Sequence, residues 1–305
     1  MQWQKISLVG VGLLGGSLGL AIKQRRLAAR VEGYVRRDAR VAECEKLGVV
    51  DQAGVHLDKV VEGADLVVLC TPIAQMRGLV ECLLPHLKCG ALVTDVGSVK
   101  GSVVRELEPL IAGAGAEFIG SHPMAGAEKT GVSAARPDLF EKAICVLTPT
   151  TRSRPELVQR LDRFWSSVGA IPLKMAAELH DELVSRSSHL PHVLAAGLAS
   201  YVLNPVHPKE QASLCANGFR DTTRIASGSP EMWRDICLAN RENLSRVLGV
   251  FAGDLQEFRR MLDHQDAKAI EEVFGKAKQR RDAWRAQSAS SSPESATSAR
   301  AGGLE

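Results

Sequence analysis

The chain has 305 residues, 45% of them hydrophobic and 24% charged, and its formal net charge is +3 at pH 7. These values predict a soluble protein with room for two domains, and they argue against a nucleic-acid binder. No apolar run approaches the about 20 residues that span a bilayer, and residues 1–5 lead into a strand-like segment without a signal peptide. The seven cysteines are scattered and odd in number, which favours reduced thiols in a cytoplasm.

The first motif is glycine-rich and lies between a predicted strand at 5–9 and a predicted helix ending near Arg26. It reads Gly10-Val11-Gly12-Leu13-Leu14-Gly15. In such a motif the first glycine allows a tight turn, the second admits a pyrophosphate, and the third lets the helix pack on the strand. The motif therefore predicts dinucleotide binding at Gly10, Gly12, Leu13, Leu14 and Gly15. A glycine-rich turn without a ligand is the alternative.

Strand and helix patterns alternate through the first half of the chain. Further strands are predicted at 31–35, 66–70, 92–95, 117–120, 144–147 and 171–173, with helices near 38–47, 73–84, 100–112 and 155–168. This alternation is typical of a parallel α/β sheet of the Rossmann type. We place this NADP-binding domain at residues 1–174.

The cofactor preference is predicted from the end of the second strand. A site that prefers NAD usually carries an acidic residue there, which binds the ribose 2′-hydroxyl. Here Val35 occupies that position, and Arg36 and Arg37 follow it. Guanidinium groups suit a 2′-phosphate, so we expect NADP to be preferred, with NAD possible as a second cofactor. The alternative is a solvated basic turn in which Asp38 caps the next helix.

Three loops at strand ends carry candidate site residues. Thr71 follows the strand at 66–70 and is expected beside the cofactor. Ser98, in Asp-Val-Gly-Ser-Val-Lys at 95–100, is placed either to reach a ligand or to cap the helix that begins near Lys100. His122, in Gly-Ser-His-Pro-Met-Ala-Gly at 120–126, is the predicted reaction centre; a capped turn with an incidental histidine is the alternative.

The second half of the chain shows only helical patterns, which predicts an all-helical dimerisation and substrate domain at residues 175–287. Ser-His-Leu-Pro-His at 188–192 places two histidines on one side of a helix, but a third metal ligand is missing and no metal site is predicted. Two arginines flank Asp221, an arrangement that suits either a surface ion-pair array or a carboxylate site. Residues 288–305 are small and polar, which predicts a disordered tail.

Together these segments resemble the prephenate/arogenate dehydrogenase family of tyrosine biosynthesis over about residues 5–286. The resemblance rests on the glycine motif and on four more specific segments at 95–100, 120–126, 188–192 and 218–224. It implies that His122 is the catalytic histidine with Ser98 beside it. It also implies a substrate site formed by Ser188, His192 and Arg224, shaped by Asp221 and Trp233, with Glu128 on a loop above it. Val35-Arg36-Arg37 departs from the NAD-using members.

The implied reaction is an oxidative decarboxylation with hydride transfer to NAD(P)+, giving 4-hydroxyphenylpyruvate or tyrosine. A neutral histidine suits the role of base, because its unperturbed pKa of about 6.5 lies near working pH. The implied partners are a small-molecule substrate and a second copy of the chain in a homodimer, with neither nucleic acid nor membrane. Two alternatives remain: another two-domain dehydrogenase with a lysine or aspartate as its catalytic group, and a nucleotide-sensing module without turnover.

Overall fold

The computed structural model describes residues 3–127, 129–204, 206 and 209–290, with side chains as far as residue 285. The chain forms two compact units that divide between Val247 and Leu248. The first unit contains both β-sheets and most of the helices, and every contact discussed for the functional site lies within it. The predicted domain boundary after residue 174 falls inside this unit.

A six-stranded parallel sheet forms the centre of the first unit. Its strands are β1 (Trp3–Val9), β2 (Ala28–Tyr34), β3 (Gln52–Gly54), β4 (Leu66–Leu69), β5 (Leu92–Asp95) and β6 (Glu117–Phe118). Their order across the sheet is β3-β2-β1-β4-β5-β6, and all neighbours are parallel. The order reverses between β1 and β4, and ligands of such sheets bind at the carboxyl ends beside this reversal. The predicted Rossmann-type sheet is confirmed.

Helices cover both faces of this sheet because its strands alternate their side chains between two cores. The helices are α1 (Leu13–Gln24), α2 (Val41–Lys46), α3 (Leu57–Val61), α4 (Ile73–Leu83), α5 (Gly101–Gly113) and α6 (Pro155–Ser167). On β4, Leu66 and Val68 join the core that contains α1 and α6, whereas Val67 and Leu69 join the core beneath α4 and α5. Strands buried on both faces read as continuous apolar runs, which is the pattern at 66–69.

A second, smaller sheet was not anticipated. It consists of β7 (Gly120–Pro123), β8 (Ile144–Thr148) and β9 (Ile171–Lys174). Strand β7 runs antiparallel to β8, and β8 runs parallel to β9. The expectation that these segments continue one parallel sheet is wrong, because strand patterns in a sequence carry no information about direction. His122 consequently lies within a strand, opposite Val146, rather than in the loop after one.

The remaining elements are helical. They are α7 (Ala177–Val184), α8 (Leu190–Val202), α9 (Lys209–Ser213), α10 (Asn217–Thr223), α11 (Pro230–Ala239), α12 (Arg241–Asp263) and α13 (Ala267–Ser290). Between α7 and α8 a π-helical turn spans Ser185–His189, and Pro191 stands in the first turn of α8. Proline is tolerated in the first turn of a helix because the N–H that it lacks would have no partner within the helix there. No strand follows β9 among the residues described, which confirms the helical second half.

In the second unit, Phe258 of α12 contacts Phe274 of α13 edge to face, with ring centroids 5.9 Å apart. Helix α13 continues to Ser290, so the first three residues of the predicted tail are helical, whereas 291–305 lie outside the described residues. Over the part of the chain that is described, no helix is both long and apolar enough to cross a membrane.

Candidate active site

The glycine motif connects β1 to α1 at the point where the strand order reverses. Gly10 has a φ of +100°, and its amide donates to the Tyr34 carbonyl at 3.0 Å, which joins the loop to the end of β2. A Cβ at Gly15 would lie 2.1 Å from the Gly10 carbonyl oxygen, so only glycine permits this close packing. Leu13 and Leu14 begin α1. The loop therefore has the predicted geometry.

The same loop fits a dinucleotide phosphate. A Cβ added at Gly12 would meet nothing within 4 Å, so there is open space beside this residue. Gly12 is the N-cap residue of α1 and has no side chain to bind the first amides of the helix, which leaves these amides open to a ligand. Thr71 follows β4 across the reversal, and its Cγ2 would be the nearest atom to a Cβ added at Gly10, at 2.8 Å. Its Oγ1 is buried and has no hydrogen-bond partner among the described atoms. An orphaned hydroxyl at this edge suits a bound ligand.

Arg36 and Arg37 lie directly after β2 at the same carboxyl edge. Both side chains are exposed, and neither forms a hydrogen bond or ion pair within the described residues. Asp38 begins a short 3₁₀ helix at Asp38–Arg40, but no side chain caps that helix, contrary to the alternative in which Asp38 serves as the cap. Val35 is buried at 5% exposure and offers no polar atom to a ribose.

A buried ion pair supports the strand that carries His122. The Lys100 ammonium donates to the Asp95 carboxylate, and both side chains are fully buried. Lys100 Nζ also donates to the Ser121 carbonyl at 2.9 Å, while the Ser121 amide donates to Asp95 Oδ1 at 3.0 Å. Burial lowers the pKa of Lys100, and the neighbouring Asp95 carboxylate opposes that shift. The ion pair thus binds both the amide and the carbonyl of Ser121, the residue before His122.

His122 is the first of three side chains that are joined by hydrogen bonds. Its Nδ1 lies 2.8 Å from Nε2 of His180 on α7, and His180 Nδ1 lies 2.8 Å from Asp181 Oδ1. Asp181 also accepts from the Lys100 amide at 2.7 Å and from the Gly101 amide at 2.8 Å, at the start of α5. The helix is therefore capped by Asp181, and Ser98 is not its cap.

His122 is neutral under physiological conditions. It is 8% exposed, and burial lowers its pKa well below the ordinary value, with His180, Lys100 and His189 adding to the effect. Nε2 of His122 forms no hydrogen bond with any described residue, and it is the ring nitrogen left for a ligand. A buried, neutral imidazole with one nitrogen already hydrogen-bonded can accept a proton at the other.

His189 lies beside the Ser98 loop and also contacts Asn240, the residue that follows α11. Asn240 Nδ2 donates to the Asp181 carbonyl at 2.8 Å and lies 3.2 Å from His189 Nδ1. Asn240 Oδ1 accepts from Asn243, which fixes the amide orientation, so His189 Nδ1 is an acceptor and Nε2 carries the proton. Nε2 is buried next to the Ser98 backbone without a hydrogen bond of good geometry. Burial lowers the pKa of His189 to about 4.

The helical half also brings His192 and Trp233 together. Their rings stack with centroids 3.8 Å apart and planes 27° apart, and His192 Nδ1 lies 2.9 Å from the Ser188 carbonyl. Burial lowers the pKa of His192, and the positive charge of Arg224 lowers it further. Trp233 is partly buried and also contacts His189 edge to face at 6.2 Å. Trp233 is therefore packed between two histidines rather than in a hydrophobic core.

Arg224 opens onto a cavity of about 610 Å³ that carries two further cations, Lys129 and Arg136. The cavity lies next to Gly126 and Ala127, in the loop after β7. Asp221 is exposed on α10, one turn before Arg224. Glu128 lies outside the described residues. A cluster of three cations beside this loop can receive an anionic ligand.

Three side chains that hydrogen-bond around His122 and His189 were not predicted from the sequence: His180, Asp181 and Asn240. His180 and Asp181 are adjacent on α7 and both are buried, but their burial is not visible in the sequence, so no local signal identifies them. Lys100 and Asp95 belong to the segment at 95–100 that carries part of the resemblance, but their ion pair was not predicted. Among the described residues, no group of three or more His, Cys, Asp or Glu side chains could hold a metal ion.

Comparison with known proteins gives a consistent result over nearly the whole chain. The family model for the prephenate dehydrogenase nucleotide-binding domain matches residues 18–173, and the model for the prephenate dehydrogenase dimerization domain matches residues 176–276. Prephenate dehydrogenase of Bacillus subtilis (strain 168) is 35% identical over 283 residues, covering 91% of this chain and 75% of the relative.

Two solved structures are similar in both fold and sequence. Prephenate dehydrogenase from Aquifex aeolicus, in complex with hydroxyphenyl propionate and NAD+, matches with a TM-score of 0.85 at 31% identity, covering 91% of this chain and 97% of that one. Synechocystis arogenate dehydrogenase matches with a TM-score of 0.79 at 31% identity, covering 92% of this chain and all of the other (100%).

Proposed function

This chain belongs to the prephenate dehydrogenase family, and on that premise we propose that it oxidatively decarboxylates prephenate, arogenate or both with a nicotinamide cofactor. The observation that carries the proposal is His122, a buried and neutral imidazole whose Nδ1 is hydrogen-bonded and whose Nε2 remains available. The products are 4-hydroxyphenylpyruvate from prephenate and tyrosine from arogenate.

The chemistry divides between the cofactor and the side chains of the site. The two substrates are cyclohexadienols with a hydroxyl on C4 and a carboxylate on the opposite quaternary carbon. A nicotinamide cofactor, which the loop with Gly10 and Gly12 and the hydroxyl of Thr71 would hold, would supply the acceptor for the hydride that leaves C4. His122 takes the hydroxyl proton at Nε2, and C4 becomes a carbonyl carbon. The carboxylate then leaves as carbon dioxide, its bonding electrons make the ring an aromatic phenolate, and the protonated His122 returns the proton to give the phenol. Ser98 holds the hydroxyl in line with the imidazole.

Substrate binding is assigned to the helical half. Arg224 binds a carboxylate, Ser188 and His192 are polar contacts, and Asp221 and Trp233 shape the pocket. The loop role that the resemblance implies for Glu128 concerns a residue outside those described. A cation held against the ring carboxylate in the transition state would oppose the loss of its charge, so Arg224 serves binding more than rate. The stacked His192 and Trp233 rings and the cations around the cavity support this assignment.

NADP is the proposed preferred cofactor. Support comes from the exposed Arg36 and Arg37 at the carboxyl end of β2 and from the apolar Val35 at the position where an acid would bind a ribose hydroxyl. The NAD+ in the related Aquifex aeolicus structure belongs to that protein. Here NAD is the weaker alternative.

The proposed assembly is a homodimer formed by the helical region 175–287. The match to a dimerization-domain family and the exposed apolar side chains of this region, Leu179, Leu183 and Leu238 among them, support it. A cytoplasmic location is proposed as well, since all seven cysteines are unpaired thiols.

The proposal is tested by assaying the purified protein with NAD+ and NADP+, each against prephenate and arogenate. Reduced cofactor and released carbon dioxide are measured in parallel. We expect reduced cofactor and carbon dioxide to form in equal amounts. We also expect turnover of both substrates and a higher kcat/KM with NADP+ than with NAD+. Cofactor reduction without carbon dioxide would overturn oxidative decarboxylation, and cofactor binding without any turnover would favour a nucleotide-sensing module.

A further inference from the structure

We propose that His180 is a positioning residue for the reaction. Through its hydrogen bonds to Asp181 and His122 it orients the His122 ring and keeps the proton of that ring on Nδ1, so that Nε2 is the basic nitrogen. The inference deepens the proposed function and rests on it for the identity of the reaction. The tautomer that it assigns to His122 can be measured without any substrate.

The direction of the hydrogen bonds follows from Asp181. Its carboxylate accepts from two backbone amides, those of Lys100 and Gly101, and both donors are fixed by the start of α5. Both oxygens of Asp181 thus accept from backbone N–H groups, and a carboxylate has no proton of its own to donate. Asp181 can therefore only accept from His180, so the Nδ1 atom of His180 must carry a proton.

The remaining protons are then determined. In a neutral His180 with its proton on Nδ1, the Nε2 atom is an acceptor. The atom 2.8 Å from it, His122 Nδ1, must be the donor, because two imidazole lone pairs at this distance would repel. His122 is neutral and has its single proton on Nδ1, which leaves a lone pair on Nε2. The opposite arrangement would place a proton on the nitrogen that must accept one.

Each side chain of the arrangement is buried and is contacted by the next one. His180 is fully buried, and its ring meets that of His122 nearly edge to face, with centroids 5.0 Å apart and planes 78° apart. Asp181 follows it on the same helix and is tied to α5, so the two helices hold the carboxylate and the imidazole in register. When His122 accepts a proton, its Nδ1–H bond to His180 becomes charge-assisted and strengthens. This stronger hydrogen bond offsets part of the cost that burial places on the protonated His122 ring.

Other charged and titratable groups face His122 but cannot replace His180. Lys100 directs its ammonium to Asp95 and the Ser121 carbonyl, and Cys145 lies on the neighbouring strand β8. His189 is engaged by Asn240. Among the described residues, only His180 is hydrogen-bonded to the His122 ring.

Two substitutions separate the acceptor from the bulk of the side chain. His180→Gln places an amide oxygen near the position of Nε2, whereas His180→Met fills similar space without a comparable acceptor. We expect His180→Met to lose about 10²-fold in kcat, a large part of what a positioned base contributes, with KM changed less than about threefold. His180→Gln should recover at least about tenfold of that loss, because it restores the acceptor.

Val184→Ala is the matched control for damage to α7. Val184 is buried one turn after His180 on the same helix and touches none of the proposed chemistry. We expect it to lower the melting temperature while kcat stays within about twofold of wild type. If His180→Met and His180→Gln lose kcat equally, or if neither loses it, the acceptor role is wrong.

The tautomer is read directly by ¹⁵N NMR of the ring nitrogens in histidine-labelled protein, with His122→Asn used to assign the signals. Wild type should show His122 with a protonated Nδ1 and an unprotonated Nε2, and His180→Met should shift the population toward the other tautomer. A wild-type His122 with its proton on Nε2 would overturn the proposal. Because this readout needs no substrate, it remains decisive even if the protein turns over neither prephenate nor arogenate.

Discussion

Lys100 and Asp95 form an ion pair from which solvent is completely excluded, directly beneath the strand that carries His122. Removing two charges from water costs several kcal/mol each, and their mutual attraction offsets this only when the remaining donors and acceptors are also satisfied. Here Asp95 accepts from the Gly97 and Ser121 amides in addition to Lys100. The ion pair orients Ser121, because Asp95 accepts from its amide and Lys100 donates to its carbonyl.

Breaking the ion pair should therefore destabilise the fold strongly. We expect Lys100→Met and Asp95→Asn each to lower the free energy of unfolding by about 3–5 kcal/mol, since each leaves a buried charge unpaired. The double variant should be less destabilised than the sum of the two. Denaturant unfolding measures all three. Lys88→Met, which breaks the ion pair between the half-exposed Lys88 and the partly buried Asp65, is the control and should cost less than about 1 kcal/mol. Strict additivity of the buried pair would contradict this account.

The buried histidines predict a loss of stability in acid. Burial lowers the pKa of His189 to about 4, whereas in the unfolded chain it is about 6.5. Above the unfolded value both states are neutral and stability is complete. As the pH falls from about 6.5 to 4, the unfolded chain binds a proton that the folded protein does not, which removes about 3 kcal/mol. His122 adds to this effect, because its pKa is lowered too.

The measurement is the free energy of unfolding as a function of pH, for wild type and for His189→Gln. The substitution removes the titrating ring, so the slope between about pH 6.5 and 4 should become smaller. His86→Gln replaces an exposed histidine and should leave the slope unchanged. Parallel curves for wild type and His189→Gln would show that His189 is not the group responsible.

Arg224→Ala should act mainly on KM. The guanidinium is close enough to His192 to lower the pKa of that ring, and it opens onto the cavity with Lys129 and Arg136. We expect a loss of about 2–4 kcal/mol in kcat/KM, because a ligand carboxylate would be left unpaired. Arg220→Ala, an exposed arginine four residues earlier on α10, is the matched control and should have little effect. A collapse of kcat at unchanged KM would contradict a binding role.

Cofactor preference should depend on Arg36 and Arg37. Replacing both with alanine removes the donors proposed for the 2′-phosphate, so kcat/KM with NADP+ should fall by about 1.5–3 kcal/mol while the value with NAD+ changes little. Arg40→Ala is the control, since Arg40 lies just beyond them and pairs with Glu43. A wild-type kcat/KM that is equal or better with NAD+ would refute the NADP preference and leave the family assignment intact.

The parts of the molecule that could be predicted from sequence depend on local rules. Gly10 and Gly15 have roles set by their own φ angle and by packing within five residues, so the motif alone predicts the loop. Strands such as Leu92–Asp95 are visible as apolar runs with abrupt ends. The direction of β7 was beyond such rules, because pairing with β8 is decided by the path of the chain between them.

The hydrogen-bond chain behind His122 was beyond sequence reasoning for a similar reason. His122 and His180 are 58 residues apart, and Asp181 is 81 residues from the Lys100 amide that it caps. Nothing in the pattern of α7 distinguishes a histidine that faces a strand of another sheet from one that faces solvent. Ser98 is a second example. The sequence allowed it to cap α5, but the carboxylate that caps this helix is that of Asp181, which lies on α7.

The most direct test of the central claim is kcat of His122→Asn with saturating substrate and cofactor, compared with wild type. Asparagine retains a hydrogen-bonding group but cannot accept the hydroxyl proton at neutral pH. We predict that kcat falls by about 10²–10⁴-fold, while KM for the cyclohexadienol and the Kd of the cofactor change little. A variant that keeps a near-normal kcat, with the chemical step shown to limit the rate, would contradict the assignment of His122 as the base.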